Sequence, residues 1–257
     1  MQVYVCVKHV PDTAANIKVV GDAGFDESAK FVLNPYDEYA VEEAARIVKQ
    51  EGGEVVIITV GKDAAENTIR SALAVGADRG ILVSTGDQFL DSGYISRILK
   101  AAIELDGTPD LIFAGKQSVD SEGMQTHYRL AAEFGMPVAT EVVSFKMEEG
   151  SAIVECEIGG GDRQVLALAM PCVIGATKGL NEPRYPKFPD IFKAKKKEIK
   201  KVDLSELAIV PSDKAAAVVK LKAIPERGQA KMLEGDTRKM VEELARLLRE
   251  EDKVLGN

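Results

Sequence analysis

The run "EVVIITVG", residues 54–61, is followed by "KDAAENTIRSALAVGAD" (62–78) and then by "RGILVST" (79–85). The two outer runs are short, rich in Val and Ile, and continuous rather than alternating, which is how strands buried on both faces of a parallel sheet read. The middle run repeats apolar residues at Ile69, Leu73 and Val75 and stops at Gly76, so it reads as a helix crossing between them. A strand, a crossover helix and a second parallel strand form the building unit of a doubly wound sheet with right-handed crossovers.

The same rhythm extends in both directions. "VYVCVKHV" (3–10) and "PDLIFAGK" (109–116) are two more strands of the buried kind. "NPYDEYAVEEAARIVKQEGG" (34–53) places Pro35 at a helix entry, loads acids into the first turns and stops at Gly52-Gly53. "DSGYISRILKAAIELDG" (91–107) and "EGMQTHYRLAAEFGMP" (122–137) supply two further helices. After Pro137 the pattern changes to strands joined by "EEGS" (148–151) and "IGGGDR" (158–163), which are turn chemistry. These strands are expected to add antiparallel edges to the same sheet, giving a mostly parallel α/β fold.

Beyond them, "KGLNEPRYPKFPDIFKAKKKEIKK" (178–201) holds three prolines and eight lysines in a chain of net charge −8, and it carries Tyr185, Phe188, Ile191 and Phe192. No apolar period marks a core helix there. Residues 202–235 show little period and much Pro, Lys and Ala, and are expected to form an extended arm. "DTRKMVEELARLLREE" (236–251) closes with an apolar stripe of Met240, Val241, Leu244, Leu247 and Leu248 behind Asp236 or Thr237 as N-cap. Such a helix needs a surface, either its own domain or a partner subunit. The expected organisation is a nucleotide-binding domain over 1–202, which includes the loop 176–198, and an arm with a helix over 203–257.

Composition narrows the function. With 257 residues, 46% hydrophobic and 29% charged, the chain has the make-up of an ordinary globular protein with a large core. The acidic balance argues against a nucleic-acid binder. No apolar run reaches the ~18–20 residues that span a bilayer, and "MQVYVCVKHVPDT" enters a strand with no basic n-region or cleavage site, so a cytoplasmic protein is expected. Cys6, Cys156 and Cys172 lie in strand-like runs without CxxC spacing and read as reduced core thiols. His9 and His127 are too few and too isolated for a zinc site. Neither GxGxxG after a strand nor GxxxxGK[ST] is present, and no self-contained catalytic constellation emerges. The chain reads as a binder.

In open α/β sheets ligands sit outside the carboxyl ends of the strands, where strand order reverses. Three segments fall at such ends: "CVKHVPD" (6–12), "LNPYDEYA" (33–40) and "AGKQSVDSEGMQTHY" (114–128). In the last, Gly115 lets backbone approach a ligand, and Ser118, Asp120, Ser121, Gln125 and Thr126 offer hydrogen bonds beside a helix start that favours phosphate.

Five ordered blocks, "VCVKHVPD" (5–12), "LNPYDEYAVEEA" (33–44), "SALAVGADRG" (71–80), "AGKQSVDSEGMQT" (114–126) and "LNEPRYPKFPDIFKAKKKEI" (180–199), together resemble the β subunit of the electron transfer flavoproteins. The resemblance implies an adenine-nucleotide-hydrolase-like α/β fold in a heterodimer with an α subunit that holds most of an FAD. It implies an AMP in this chain, contacted by Cys6, Asn34, Pro35, Tyr36, Asp37 and Val60, and by Gly115, Lys116, Gln117, Ser118, Val119, Asp120, Ser121, Glu122, Gly123, Met124, Gln125 and Thr126. It also implies that the basic loop docks on acyl-CoA dehydrogenases and related flavoenzymes through Arg184, Tyr185, Phe188, Ile191 and Lys193, with Phe188 as anchor. Electrons would then pass to a further oxidoreductase, and the chain itself would carry no catalytic residues. "DSEGMQT" (120–126) departs from the acid-rich run with an Asn found in many AMP-binding members. That departure leaves open a second FAD with electron bifurcation from NADH, and a partnerless nucleotide-binding regulator of the universal-stress type also stays open.

Overall fold

The computed structural model describes residues 1–86, 90–209, 216–223, 230–251 and 254. The parts of the expected arm at 210–215 and 224–229 lie outside the described residues. The chain divides into two compact units, Met1–Leu221 and Lys222–Asn257.

In chain order the first unit contains β1 (Gln2–Cys6), β2 (His9–Pro11), β3 (Val19–Val20), β4 (Gly24–Phe25), β5 (Phe31–Leu33), α1 (Pro35–Glu51), β6 (Glu54–Gly61), α2 (Glu66–Val75) and β7 (Arg79–Ser84). It continues with α3 (Ser92–Asp106), β8 (Leu111–Gly115), α4 (Thr126–Phe134), β9 (Val138–Glu148), β10 (Ser151–Gly159), β11 (Asp162–Ala169), β12 (Cys172–Ala176), α5 (Phe188–Ala194) and β13 (Ile199–Asp203). The second unit contains α6 (Thr237–Glu250), whose N-cap Asp236 accepts a hydrogen bond from the Lys239 amide. Among the described residues no helix is long and apolar enough to cross a membrane.

A nine-stranded sheet runs β11-β10-β9-β12-β8-β1-β6-β7-β13. From β12 to β13 every pairing is parallel, so the four Val- and Ile-rich runs are the centre of a doubly wound sheet. Side chains alternate between two cores because successive residues of a strand face opposite ways. Val3 and Val5 of β1 pack with Ala40, Val41 and Ala44 of α1 and Ile69 and Leu73 of α2. Tyr4 and Cys6 pack on the other face with Ile98 and Ala102 of α3 and Leu130 of α4. A strand covered on both sides has no polar face, which accounts for the unbroken apolar runs.

The region after Pro137 forms antiparallel strands, as expected, but only β9, β10 and β11 form the edge. β12 returns inward and pairs in parallel with both β8 and β9. Its fully buried pattern is that of a central strand. The basic stretch also contains structure that its composition hides. α5 is a helix of seven residues in which only Ala194 is buried, so it leaves no apolar period. Ile199–Asp203 adds a parallel edge strand to β7. α4 begins later than "EGMQT" suggests, because Glu122 and Met124 take φ of 49° and 51°, a left-handed conformation that interrupts a helix.

Phe113 sits in β8 at the middle of this sheet, fully buried, with its ring tilted against Phe145 at 5.4 Å. Phe113→Ala is expected to cost about 3–5 kcal/mol of unfolding free energy, as read by a shift in denaturant midpoint at unchanged slope.

Candidate functional site

Chain order moves from β1 to β6 and β7 on one side, then returns to β8 on the other, so the strand order reverses between β1 and β8. The carboxyl ends of these two neighbours, Cys6 and Gly115, open the crevice where such sheets bind ligands. α1 enters it from the side. Its N-cap is Asn34, with Pro35 at the first helical position, where a missing N–H costs nothing.

Asp37, in the first turn of α1, is the hub. It is 4% exposed, and three N–H donors converge on its carboxylate. The Lys8 amide donates to Oδ2 at 2.7 Å, while the Gly115 amide and the Asn34 Nδ2 each donate to Oδ1 at 2.9 Å. Gly115 is required here, since a Cβ at this position would stand 2.4 Å from Asp37 Oδ1 and 2.7 Å from the Tyr36 Cβ. Burial pushes the Asp37 carboxyl up to about 7, against the pull of Asn34, the two amides and the Lys8 ammonium. Burial and then the Asp37 charge push the Cys6 thiol well above its usual range. This thiol is a neutral wall group.

Asn34 continues the network into the loop after β8. It donates to the Gln117 carbonyl at 2.9 Å and accepts from the Val119 amide at 3.1 Å. Lys8 reaches across to the same loop, donating to Asp120 Oδ1 at 2.8 Å and to the Ser118 and Ser121 hydroxyls at 3.3 and 3.5 Å. Burial raises the Asp120 carboxyl, but the Lys8 ammonium outweighs it and holds the group below the usual carboxylate range. Lys116 pairs with both oxygens of Glu141 at 3.0 and 2.9 Å and lies over the Tyr36 ring at 5.1 Å. The Glu122 amide donates to the Ser118 carbonyl, Gly123 and Met124 carry the chain onward, and the Gln125 side chain is spent on Ser92 and Arg129. The first turn of α4, beginning at Thr126, therefore has no side-chain cap. Val60 stands two residues beyond Ile58, the partner of Cys6, on neighbouring β6 and makes no bond to the hub.

The structure thus brings Cys6, Asn34–Asp37 and Gly115–Ser121 together and leaves Val60 at the rim. Lys8 and Glu141 belong to the cluster although sequence reasoning passed over them. The signal for Lys8 was its place just past the end of the first strand. None existed for Glu141, which is aimed by a strand irregularity where it adopts φ 54°.

The expected docking loop leaves β12 on the same edge. Tyr185 is 95%, Phe188 81% and Phe192 63% exposed, three aromatic rings presented to solvent within eight residues. Ile191 lines a groove of about 490 Å³ between α5 and α2, together with Pro186, Arg70 and Ala74. Lys193 pairs with Asp190 at 3.4 Å. Arg184 is turned back onto Glu42 of α1, donating from Nε at 2.7 Å and from a terminal nitrogen at 2.6 Å.

Asp37→Asn keeps the shape but sets an NH2 group against incoming N–H donors. It is expected to cost about 1–3 kcal/mol and to speed amide exchange at Lys8 and Gly115. Between pH 3.8 and about 7 the folded chain keeps a proton on Asp37 that the unfolded chain has released. This group's contribution to global stability therefore falls as pH rises through that window. Urea unfolding at pH 5 and pH 8 isolates this contribution as a difference: burial pushes the His127 imidazole down to about 4, which adds stability with rising pH in both proteins, so the wild type should lose stability relative to Asp37→Asn as pH rises.

The chain is also similar to known proteins. Residues 22–207 match the family model described as the electron transfer flavoprotein domain. An electron transfer flavoprotein subunit beta of Bacillus subtilis is 34% identical over 99% of this chain and 100% of its own length. That of Bradyrhizobium diazoefficiens is 40% identical over 81% of this chain and 84% of its own, and a mitochondrial one of Arabidopsis thaliana is 39% identical over the same shares. The matched span contains α1, the loop after β8 and the whole basic segment, and the similarity to the Bacillus subtilis relative covers 99% of the chain. This chain belongs to the electron transfer flavoprotein family, as a member of its β-subunit type.

Proposed function

We propose that this chain is the β subunit of a heterodimeric carrier that takes electrons from acyl-CoA-type dehydrogenases and delivers them to another oxidoreductase. FAD, held mainly by the α subunit, supplies the redox chemistry when bound. The site between β1 and β8 takes an AMP with a structural role. The observation that carries this reading is the pre-organised loop 115–126, tied down by Asn34, Asp37 and Lys8 and ending on the uncapped first turn of α4. Free amides at a helix start fit a phosphate. The cations near it, Lys8 and Lys116, are already paired with Asp120 and Glu141, so the loop suits a ligand of low charge. No side chain of this chain enters the electron-transfer chemistry; its residues hold the nucleotide, order the loop and present the docking surface.

Docking falls to Tyr185, Phe188, Ile191 and Lys193, with Phe188 as the apolar anchor and the surrounding lysines drawing in an acidic partner. A carrier must release its partner quickly, and one small anchored patch allows that. The arm and helix of residues 203–257 dock on the α subunit. In support, Val241 and Leu244 of the α6 stripe are 60% and 47% exposed.

The deciding experiment denatures the purified heterodimer and identifies the released nucleotides by chromatography and mass. One FAD and one AMP per heterodimer is the expected result. Two FAD would replace this reading with electron bifurcation, and absence of FAD would end it. Phe188→Ala is expected to raise the apparent KM for the dehydrogenase about thirtyfold, the ~2 kcal/mol scale at which an interface residue counts as a hot spot, with FAD content unchanged. Unaltered kinetics would remove Phe188 from the docking surface.

A further inference from the structure

The candidate nucleotide site and the docking loop meet on one helix. The amino end of α1 carries Asn34 and Asp37, which grip β1, β8 and the loop at 117–119. Five residues past Asp37, about 7.5 Å along the axis, the same helix carries Glu42 and then Glu43, 5% and 6% exposed. Glu42 takes the Arg184 guanidinium through both oxygens and faces the Arg184 amide at 3.3 Å. Asn181 donates to Glu43 Oε2 at 2.9 Å and to the Tyr39 carbonyl at 3.0 Å. Residues 181–184, immediately before the exposed aromatics, therefore hang from α1.

This suspension is enforced, because a buried carboxylate stripped of its partner is strongly unfavourable. The root of the loop is tied to the same site, since the Lys116 amide, next to Gly115, donates to the Ala176 carbonyl at 2.9 Å. The far end is strapped to α2. Arg70 donates to the carbonyls of Ala194 and Lys197, and the Lys197 ammonium caps the end of that helix at the carbonyls of Leu73 and Ala77. With both ends fixed, the pose of the aromatic segment depends on where the amino end of α1 sits.

We propose that α1 couples the two sites: nucleotide bound at the switch point orders Asn34–Asp37 and, through Glu42–Arg184 and Glu43–Asn181, sets the docking loop in its partner-ready pose. Glu42 and Arg184 are then positioning residues for docking, and the nucleotide regulates partner affinity rather than only supporting the fold. The inference rests on the reading of the two sites given above.

The test uses the full heterodimer, stripped of nucleotide and then given AMP, with hydrogen exchange followed in peptides covering 115–121 and 181–194. Stripping is expected to speed exchange in both segments about fivefold or more, the lower range of measured couplings between sites, and AMP is expected to restore both. In Glu42→Gln the segment 181–194 should exchange fast with or without AMP, while 115–121 still responds. The apparent KM for the dehydrogenase should rise at unchanged FAD and AMP content. If Glu42→Gln folds poorly, Arg184→Gln breaks the same pair from its half-exposed side. A response at 115–121 with none at 181–194 would overturn the coupling and leave the site intact. No response to AMP in either segment would overturn the nucleotide site and the coupling with it.

Discussion

Three N–H groups from three separate chain segments converge on the Asp37 carboxylate, and the functional edge of the sheet is organised around that convergence. One donor lies just past β1, one ends β8 and one caps α1. The adjacent strands β1 and β8 are held together by ladder hydrogen bonds along their length, yet nothing in a ladder fixes what happens beyond its last rung. Asp37 extends the register past the sheet edge and so determines where the loop after β8 begins. A buried carboxylate is a costly device, and here its cost is offset by placing donors on both oxygens.

From this hub, order spreads in two directions. Through Asn34 and Lys8 it reaches the loop at 117–121, whose carbonyls, amides and hydroxyls these two residues hold. Along α1 it reaches Glu42 and Glu43 and, through them, the segment that exposes Tyr185 and Phe188. In the proposed reading, binding a nucleotide and meeting a protein partner are different tasks that fall to the first turn and the middle of one helix. The long-range character of these bonds gives the arrangement its stiffness: the Arg184–Glu42 pair spans 142 residues of sequence.

The parallel centre of the sheet was readable because strands covered on both faces must be continuously apolar, and Cys6, Asn34 and Gly115 followed once strand ends were known. Composition could not place β12. An apolar run such as "CVIGA" looks the same at an edge or between two strands, and its position is settled only by the pairing of β9. The short antiparallel pairs β2–β5 and β3–β4 were invisible for a different reason, since two or three residues carry no period. Within the site, the types of residue were legible but not their partnerships. That Asp37 faces Gly115, or that Arg184 turns inward to Glu42 instead of outward, depends on contacts between segments 78 and 142 residues apart.

The basic segment holds eight lysines, yet its charge is not all directed at solvent. Lys197 is spent on the carbonyls that end α2, Lys201 pairs with Glu66 at 3.0 Å and Lys193 with Asp190. The electric field that a distant acidic protein feels is therefore weaker and more sharply localised than the lysine count implies. On a molecule of net charge −8 this matters, because long-range repulsion between two acidic proteins opposes the local attraction. At a Debye length of about 8–10 Å the repulsion is largely screened while contact-range pairs persist. In the proposed docking, encounter should consequently respond to ionic strength through both the screened repulsion and the lysines' attraction, while the rate at which partners separate should be set by how deeply an aromatic side chain seats.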